Sequence, residues 1–239
     1  MKVLVTGGSR GIGRACVRAF CERGDQVVFF YRNSSEELIR KLEEETGAIG
    51  LRADVSDSET VNQAVDQAIE RMGGIDVLVN NAGIAQIKLF TDLTDHDWKQ
   101  MMETDLDGFF YVTRRVAKHM ISRHEGGKIV NIGSMWGKCG ASCEVAYSAA
   151  KAGVRGLTKA LAKELGPSHI TVNCIEPGLI DTEMNQALDV ETRAALIEET
   201  PLCRIGTPDD VLAAAAFFLS DGASFITGQC LGVDGGFAI

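Results

Sequence analysis

The sequence lacks the patterns that mark several classes of protein. It has no C-x-x-C pair, no long basic block, no proline before Pro167 and no apolar run of membrane-spanning length. Its four histidines, 96, 119, 124 and 169, are scattered, and none sits with a second ligand at metal spacing, so no metal site is expected. The seven cysteines are an odd number spread through apolar runs. They read as reduced packing residues of a cytosolic protein, with Cys139 and Cys143 open to either loop packing or a redox or substrate-lining role. A net charge of -9 without a basic stripe leaves no electrostatic footprint for nucleic acid or an anionic membrane. The longest late apolar run, residues 211–219, falls far short of the roughly 20 residues a membrane span requires. Met1 and Lys2 lead directly into Val3, Leu4 and Val5, which leaves no room for a leader segment. A cytoplasmic protein is expected.

What is present is enough apolar residue, 45% of 239, for one α/β domain spanning residues 1–239. Short apolar runs predict strands at 2–6, 26–31, 48–52, 75–79, 128–133, 169–175 and 230–233. Between them, helices are predicted at 14–23, 34–46, 58–72, 94–124, 146–165 and 208–219. The long segment 94–124 reads as one helix with Met101, Leu106, Phe109, Phe110, Val112, Val116 and Met120 on its apolar side. Gly108 inside it predicts a kink or a close approach. Asp57, or Ser56 before it, caps the helix at 58–72. Residues 176–200 begin with a Pro-Gly turn and read as a loop covering a substrate.

Two stretches carry chemistry. The first strand runs into Gly7-Gly8-Ser9-Arg10-Gly11-Ile12-Gly13 and then a helix, an order that lets backbone N–H groups and a helix N-terminus face a pyrophosphate. The spacing is G-x-x-x-G-x-G, and the same glycines also serve as plain turn chemistry. The second strand ends in Arg32 and Asn33 where an acidic residue would repel a 2′-phosphate, so the charge pattern favours NADP(H); otherwise Arg32 is a solvated strand-end charge. Asp54, at the third strand's end, is placed to accept an adenine amino group, and Asn80 to Gly83 form another tight turn after a strand.

The second stretch is SMWGKCGASCEVAYSAAK, residues 134–151. Tyr147 and Lys151, four apart in a helix, lie on one face, and Ser134 comes beside them if the intervening loop folds back. A phenol with a pKa near 10 is a poor proton donor or base at neutral pH unless a cation favours its ionised form. Lys151 is placed to be that cation. Alone, a Tyr-x-x-x-Lys pair is also an ordinary helix-surface pair.

TGGSRGIG (6–13), DV (54–55), NNAG (80–83), Ser134, YSAAK (147–151), VNCIEPGLIDTEM (172–184) and VDGG (233–236) occur in order along essentially the whole chain. With them the sequence resembles the short-chain dehydrogenase/reductase family. The resemblance implies a doubly wound Rossmann-type domain, with a seven-stranded parallel sheet flanked by helices, and a homotetramer. It implies NADP(H) held by Gly7, Ser9, Arg10, Gly11, Ile12, Arg32, Asp54, Val55, Asn81, Tyr147, Lys151, Ile180 and Thr182. Ser134 would then hydrogen-bond a substrate carbonyl, Tyr147 would donate the proton, and Lys151 would lower the tyrosine pKa. Asp105 stands where the family usually has asparagine in its proton relay. A carboxylate there would hold Lys151 charged while partly cancelling its effect on Tyr147.

Within the family, TGGSRGIG, ALAKELGP and RIGTPDDV look most like the bacterial 3-oxoacyl-[acyl-carrier-protein] reductases. That implies reduction of a 3-oxoacyl thioester in fatty-acid synthesis, with an acyl carrier protein as partner. Such an acidic partner needs a local basic patch, for which Arg114, Arg115, Lys118 and Arg123 are the candidates, unless they are simply a solvated helix face. Acyl-CoA, small ketones or sugars and protein-bound aminoketones remain alternative substrates. A nucleotide-sensing binding protein of low activity is the reading from another class.

Overall fold

The computed structural model describes the backbone of residues 1–239 and every side chain except that of Ala187. Strands and helices alternate along the chain. In order they are β1 (Lys2–Thr6), α1 (Gly11–Glu22), β2 (Gln26–Tyr31), α2 (Glu36–Thr46), β3 (Ile49–Arg52), α3 (Ser58–Met72) and β4 (Val77–Asn80). Next come α4 (Asp95–Met102), α5 (Gly108–Arg123), β5 (Gly127–Ile132), α6 (Trp136–Cys139), α7 (Val145–Leu165) and β6 (Ile170–Pro177). The last are α8 (Val190–Glu199), α9 (Pro208–Leu219) and β7 (Cys230–Val233).

All seven strands pair in parallel in one sheet of order β3-β2-β1-β4-β5-β6-β7. The strands are apolar throughout because both faces are covered, and the two-residue period divides each strand between two cores. Leu4 and Leu78 join the core under α3, α5 and α7, whereas Val3, Val5, Val77 and Val79 join the one under α1, α2 and α9. The chain runs outward from β1 to β3 and then returns to place β4 on the other side of β1. That reversal opens a crevice beyond the carboxyl ends of β1 and β4, where open α/β sheets bind ligands.

The predicted helix 94–124 is divided. Thr94 caps α4 through a reciprocal capping box with Asp97, but Glu103–Asp107 form a π turn before α5 begins. The cause is not the predicted kink at Gly108, whose backbone is helical (φ -57°, ψ -43°). Gly108 instead serves close packing, since a Cβ there would stand 2.9 Å from the Val55 side chain. The π turn inserts an extra residue and buries Thr104 and Asp105 consecutively, which a regular surface helix does not do. Phe110, expected on the apolar side, is exposed beneath the guanidinium of Arg114. The segment 176–200 is only partly loop. It contains a 3₁₀ turn at Glu183–Ala187 and α8, capped by Asp189, which accepts from the Thr192 N–H at 2.7 Å. Its lack of a continuous apolar stripe hid the helix from pattern reading: no residue of α8 is buried. Among the described residues, no helix is long and apolar enough to cross a membrane.

A buried polar network ties the sheet to two helices. Asn80 Nδ2 donates to Thr113 Oγ1 (2.8 Å) and Asn131 Oδ1 (2.9 Å), and Asn131 Nδ2 donates to Thr158 Oγ1 (2.9 Å). Thr158 in turn donates to the Val154 carbonyl at 2.8 Å. Thr158→Val would leave the Asn131 amide buried without its acceptor, at a cost of about 1–3 kcal/mol. Urea unfolding should show this as a lower midpoint with an unchanged slope.

Candidate active site

The crevice between β1 and β4 is a cavity of about 520 Å³. Its lining includes Gly7, Ser9, Arg10, Gly11 and Ile12 from the first turn and Arg32, Asn33 and Ser34 from the end of β2. Asp54, Val55, Asn81 and Thr182 of the predicted set also line it, beside Gly83, whereas Tyr147 and Lys151 lie outside the lining. Asn81 anchors the glycine turn, donating from Nδ2 to the carbonyls of Thr6 and Gly7 at 3.0 and 3.1 Å. Gly13 permits this approach: a Cβ at that position would lie 2.2 Å from the Gly7 carbonyl oxygen. Ser9 accepts from Ser34 at 2.8 Å, joining the turn to the end of β2. Asp54 is engaged by the backbone N–H and hydroxyl of Ser56, at 3.0 and 2.7 Å, and faces Arg32 at 3.7 Å. Ile180 stands apart from the cleft lining: its side chain is buried in the core and its carbonyl accepts from Asn185 Nδ2 at 2.8 Å.

The catalytic candidates converge behind Gly83. Ser134 follows β5; its hydroxyl accepts from the Trp136 N–H at 3.2 Å and acts on the Tyr147 phenol of α7 to lower its pKa. Lys151 Nζ lies 4.9 Å from the ring centre of Phe109 and 5.4 Å from that of Tyr147. It faces Asp105 Oδ2 at 3.1 Å, in a pair whose side chains are 4% and 0% exposed. The π turn aims Asp105 inward, and its Oδ1 accepts from the Ile84 N–H at 2.8 Å. Gly83 covers the pair; a Cβ there would fall 2.6 Å from Asp105 Oδ2 and 3.4 Å from Lys151 Nζ. The lysine thus meets the carboxylate directly.

These placements set the charges. Burial, the largest single influence, would depress the Lys151 pKa, but Asp105 and Tyr147 together with Cys174 outweigh it and raise the ammonium above its usual value. Burial pushes the Asp105 carboxyl up, against the opposing pull of Lys151 and the Ile84 N–H. Burial also dominates at Tyr147 and leaves its pKa raised; Lys151 and Ser134 lower it while Asp105 raises it. Lys151 thus lowers the phenol's pKa as expected, but the net shift is upward. Desolvation and the Asp105 charge exceed the lysine's effect.

Sequence reading missed three groups in the cleft. Thr104 Oγ1 is buried without a hydrogen-bond partner and its residue lines the cavity, an orphan that a polar ligand would satisfy. Ser34 joins the glycine turn as described. Glu183, just after Thr182 in the cleft lining, accepts from the Gly11 N–H at 3.1 Å and from Arg14 at 2.7 Å. Although burial opposes it, the Glu183 and Gly11 amides and Arg14 hold the Glu183 carboxyl below its usual value. An anion therefore already sits at the N-terminus of α1, and the backbone donors and cations fit a dinucleotide's phosphates.

Comparisons with known proteins agree with this geometry. A family model described as Enoyl-(Acyl carrier protein) reductase matches residues 7–238. The 3-oxoacyl-[acyl-carrier-protein] reductase of Chlamydia pneumoniae is 39% identical over 98% of this chain and 96% of its own. The enzyme of the same name from Vibrio cholerae is 37% identical over 98% and 95%. Among solved structures, a short-chain dehydrogenase/reductase from Serratia marcescens superposes with a TM-score of 0.93 at 32% identity, covering 99% of this chain and 97% of that one.

Glu183 competes for the donors that a pyrophosphate would use. Glu183→Gln should lower the dissociation constant for a nicotinamide dinucleotide about 2- to 5-fold, the weight of one charge at a helix terminus. Titration by quenching of intrinsic fluorescence checks this. The sheet order, the matched length and the relatives together establish that the chain belongs to the short-chain dehydrogenase/reductase family, nicotinamide-dependent oxidoreductases acting on CH–OH and C=O groups.

Proposed function

We propose that the protein is an NADPH-dependent ketoreductase that reduces a 3-oxoacyl thioester to the 3-hydroxyacyl form, with the acyl group carried by an acyl carrier protein in fatty-acid synthesis. The observation that carries this reading is the grouping of Ser134, Tyr147 and Lys151 behind Gly83, which itself lines the cleft. Relatives at 37–39% identity that bear the name of this activity support the substrate class.

NADPH would be held by the glycine turn, Arg10, Arg32, Asp54, Val55, Asn81 and Thr182, with Lys151 on the nicotinamide ribose; when bound it supplies the hydride. Ser134 donates a hydrogen bond to the ketone oxygen and orients it. Tyr147 donates its proton to that oxygen as negative charge develops there, and the Lys151 ammonium stabilises the phenolate left behind. The raised pKa keeps Tyr147 protonated through the neutral range, the state that reduction needs. Asp105 acts through Lys151, fixing the ammonium's position and charge.

The chain works as one domain over 1–239, with 176–200 as the substrate cover, in a cytoplasmic homotetramer. Support for self-association comes from Phe225, Leu231 and Ile239, exposed apolar side chains near the free edge of β7. The basic face proposed for a carrier is reduced to Arg114 and Lys118. Arg115 pairs with Asp66, and Arg123 pairs with Asp76 at 3.0 Å and with Glu125.

With an acetoacetyl thioester, NADPH oxidation should exceed NADH oxidation and fall about 100-fold or more in Tyr147→Phe. Arg32→Ala should cut the preference for NADPH about tenfold, the weight of one charge-assisted phosphate contact. No Tyr147-dependent turnover on this or other ketones would favour the nucleotide-sensing reading. In the reverse direction the phenolate must form, so oxidation of the 3-hydroxyacyl product should rise with pH. Because Asp105 raises the phenol's pKa, Asp105→Asn should move that alkaline limb to lower pH. A pH–rate profile of both proteins tests the sign. Turnover more than about tenfold higher in Asp105→Asn would mean that the native site is tuned away from ordinary ketone reduction.

A further inference from the structure

A second cluster of reactive side chains lies on the sheet beside Gly133, outside the residues that line the cleft. Cys174 on β6 and Cys230 on β7 are register partners across two parallel strands. Glu176 follows Cys174 by two residues on the same strand, so the three side chains share one face. The two sulfurs and a carboxylate oxygen all lie within 4.8 Å of one another. Cys174 and Glu176 are buried, and Cys230 is partly open to solvent.

We propose that Cys174, Glu176 and Cys230 form a binding site for a borderline-soft divalent cation of the zinc class, with solvent completing the coordination beside Cys230. Two thiolates and a carboxylate are a donor set that zinc takes, and tetrahedral ligation requires neighbouring donors on the order of 3.5–3.8 Å apart. Small side-chain rotations on fixed strands close the present spacing to that value. Binding forms two metal–sulfur bonds and releases the two thiol protons to solvent, with no change of oxidation state.

Glu176 selects a metal over a disulfide. The residue is 2% exposed; its Oε2 accepts from Arg155 at 3.1 Å, while its Oε1 has no hydrogen-bond partner. A buried, unsatisfied carboxylate oxygen is unfavourable and demands an explanation. A cation ligated by Oε1 supplies one, with Arg155 fixing the carboxylate from behind as outer-sphere partners of metal ligands do. A Cys174–Cys230 disulfide would leave that oxygen as it is. Arg155, Lys138 and Lys159 act on Glu176 as positive charges, against the single opposing carboxylate of Asp234, and so reduce the excess negative charge of the ligand set. The cation would clamp the edge strand β7 to β6 at Glu176, one residue before Pro177 and the segment that reaches over the cleft.

The test uses the reduced full-length protein, stripped with a chelator, loaded with zinc, desalted and assayed for metal. One zinc per chain should be retained, and its binding should raise the thermal midpoint. Cys230→Ser and Glu176→Gln should each weaken zinc binding about 10- to 100-fold, whereas Cys203→Ser, which removes an exposed thiol elsewhere, should not. Cobalt in place of zinc should give a sulfur-to-metal charge-transfer band that Cys230→Ser diminishes. Should Glu176→Gln fail to fold, the partly exposed Cys230 position carries the test alone. Three outcomes overturn the proposal: no zinc retained by the native chain, retention indifferent to Cys230→Ser, or a Cys174–Cys230 disulfide in the purified protein by mass spectrometry.

Discussion

The buried contact between Lys151 and Asp105 is the constraint to which the rest of the site conforms. Two opposite charges with almost no exposure are tolerable only when they meet each other, and removing one partner of such a pair is far worse than never having had it. The fold arranges the meeting from three directions. The helix α7 carries Lys151 up from one side, the π turn rotates Asp105 in from another, and Gly83 closes over both without a side chain of its own. The Ile84 N–H takes the second carboxylate oxygen, so Asp105 cannot swing away without losing two partners. What looks like an irregularity in a long helix is therefore the means by which a carboxylate is delivered to a buried ammonium.

The sheet reversal gives the same region its second character. Because β4 returns to the far side of β1, the turns after both strands open onto one crevice, and the polar groups of Thr6, Asn81 and the glycine turn lock them together. Donors left over at the start of α1 must find an anion, and in this structure Glu183 supplies it. The segment that carries Glu183 is thus coupled to the cleft by charge: its carboxylate occupies donors at the start of α1 that a phosphate would take.

Much of this was legible in the sequence because it rests on local chemistry. Apolar runs marked all seven strands to within two residues at each end, since a strand buried on both faces leaves an unbroken signature, and Asp57 capped its helix as its position predicted. Ser134, Tyr147 and Lys151 could be named from one short stretch because a helix fixes the four-residue spacing. What escaped were contacts whose partners are distant along the chain. The resemblance placed Asp105 near Lys151, but nothing in ETDLDGFF shows the π turn that brings the two into direct contact or the bond from the Ile84 N–H. Glu183 on Gly11, and Cys174 beside Cys230, are likewise products of sheet order. For Tyr147 the pull of Lys151 and the opposing Asp105 carboxylate were both anticipated; the depth of burial was not, and it leaves the phenol's pKa raised.

The charge on Arg32 bears on cofactor choice through the company it keeps. In a chain of net charge -9, a dinucleotide phosphate must be met by cations that are locally available, and the cations around the crevice differ in how firmly they are held. Arg14 is held at 2.7 Å by Glu183, whereas Arg32 stands 3.7 Å from Asp54, whose carboxylate is already accepting two bonds from Ser56. An exposed, loosely held pair contributes little to stability and releases its guanidinium at small cost. Arg32 can therefore turn to a phosphate while Asp54 remains satisfied by Ser56. This asymmetry keeps a carboxylate at the end of β3 while leaving a cation at the end of β2 free to meet a phosphate.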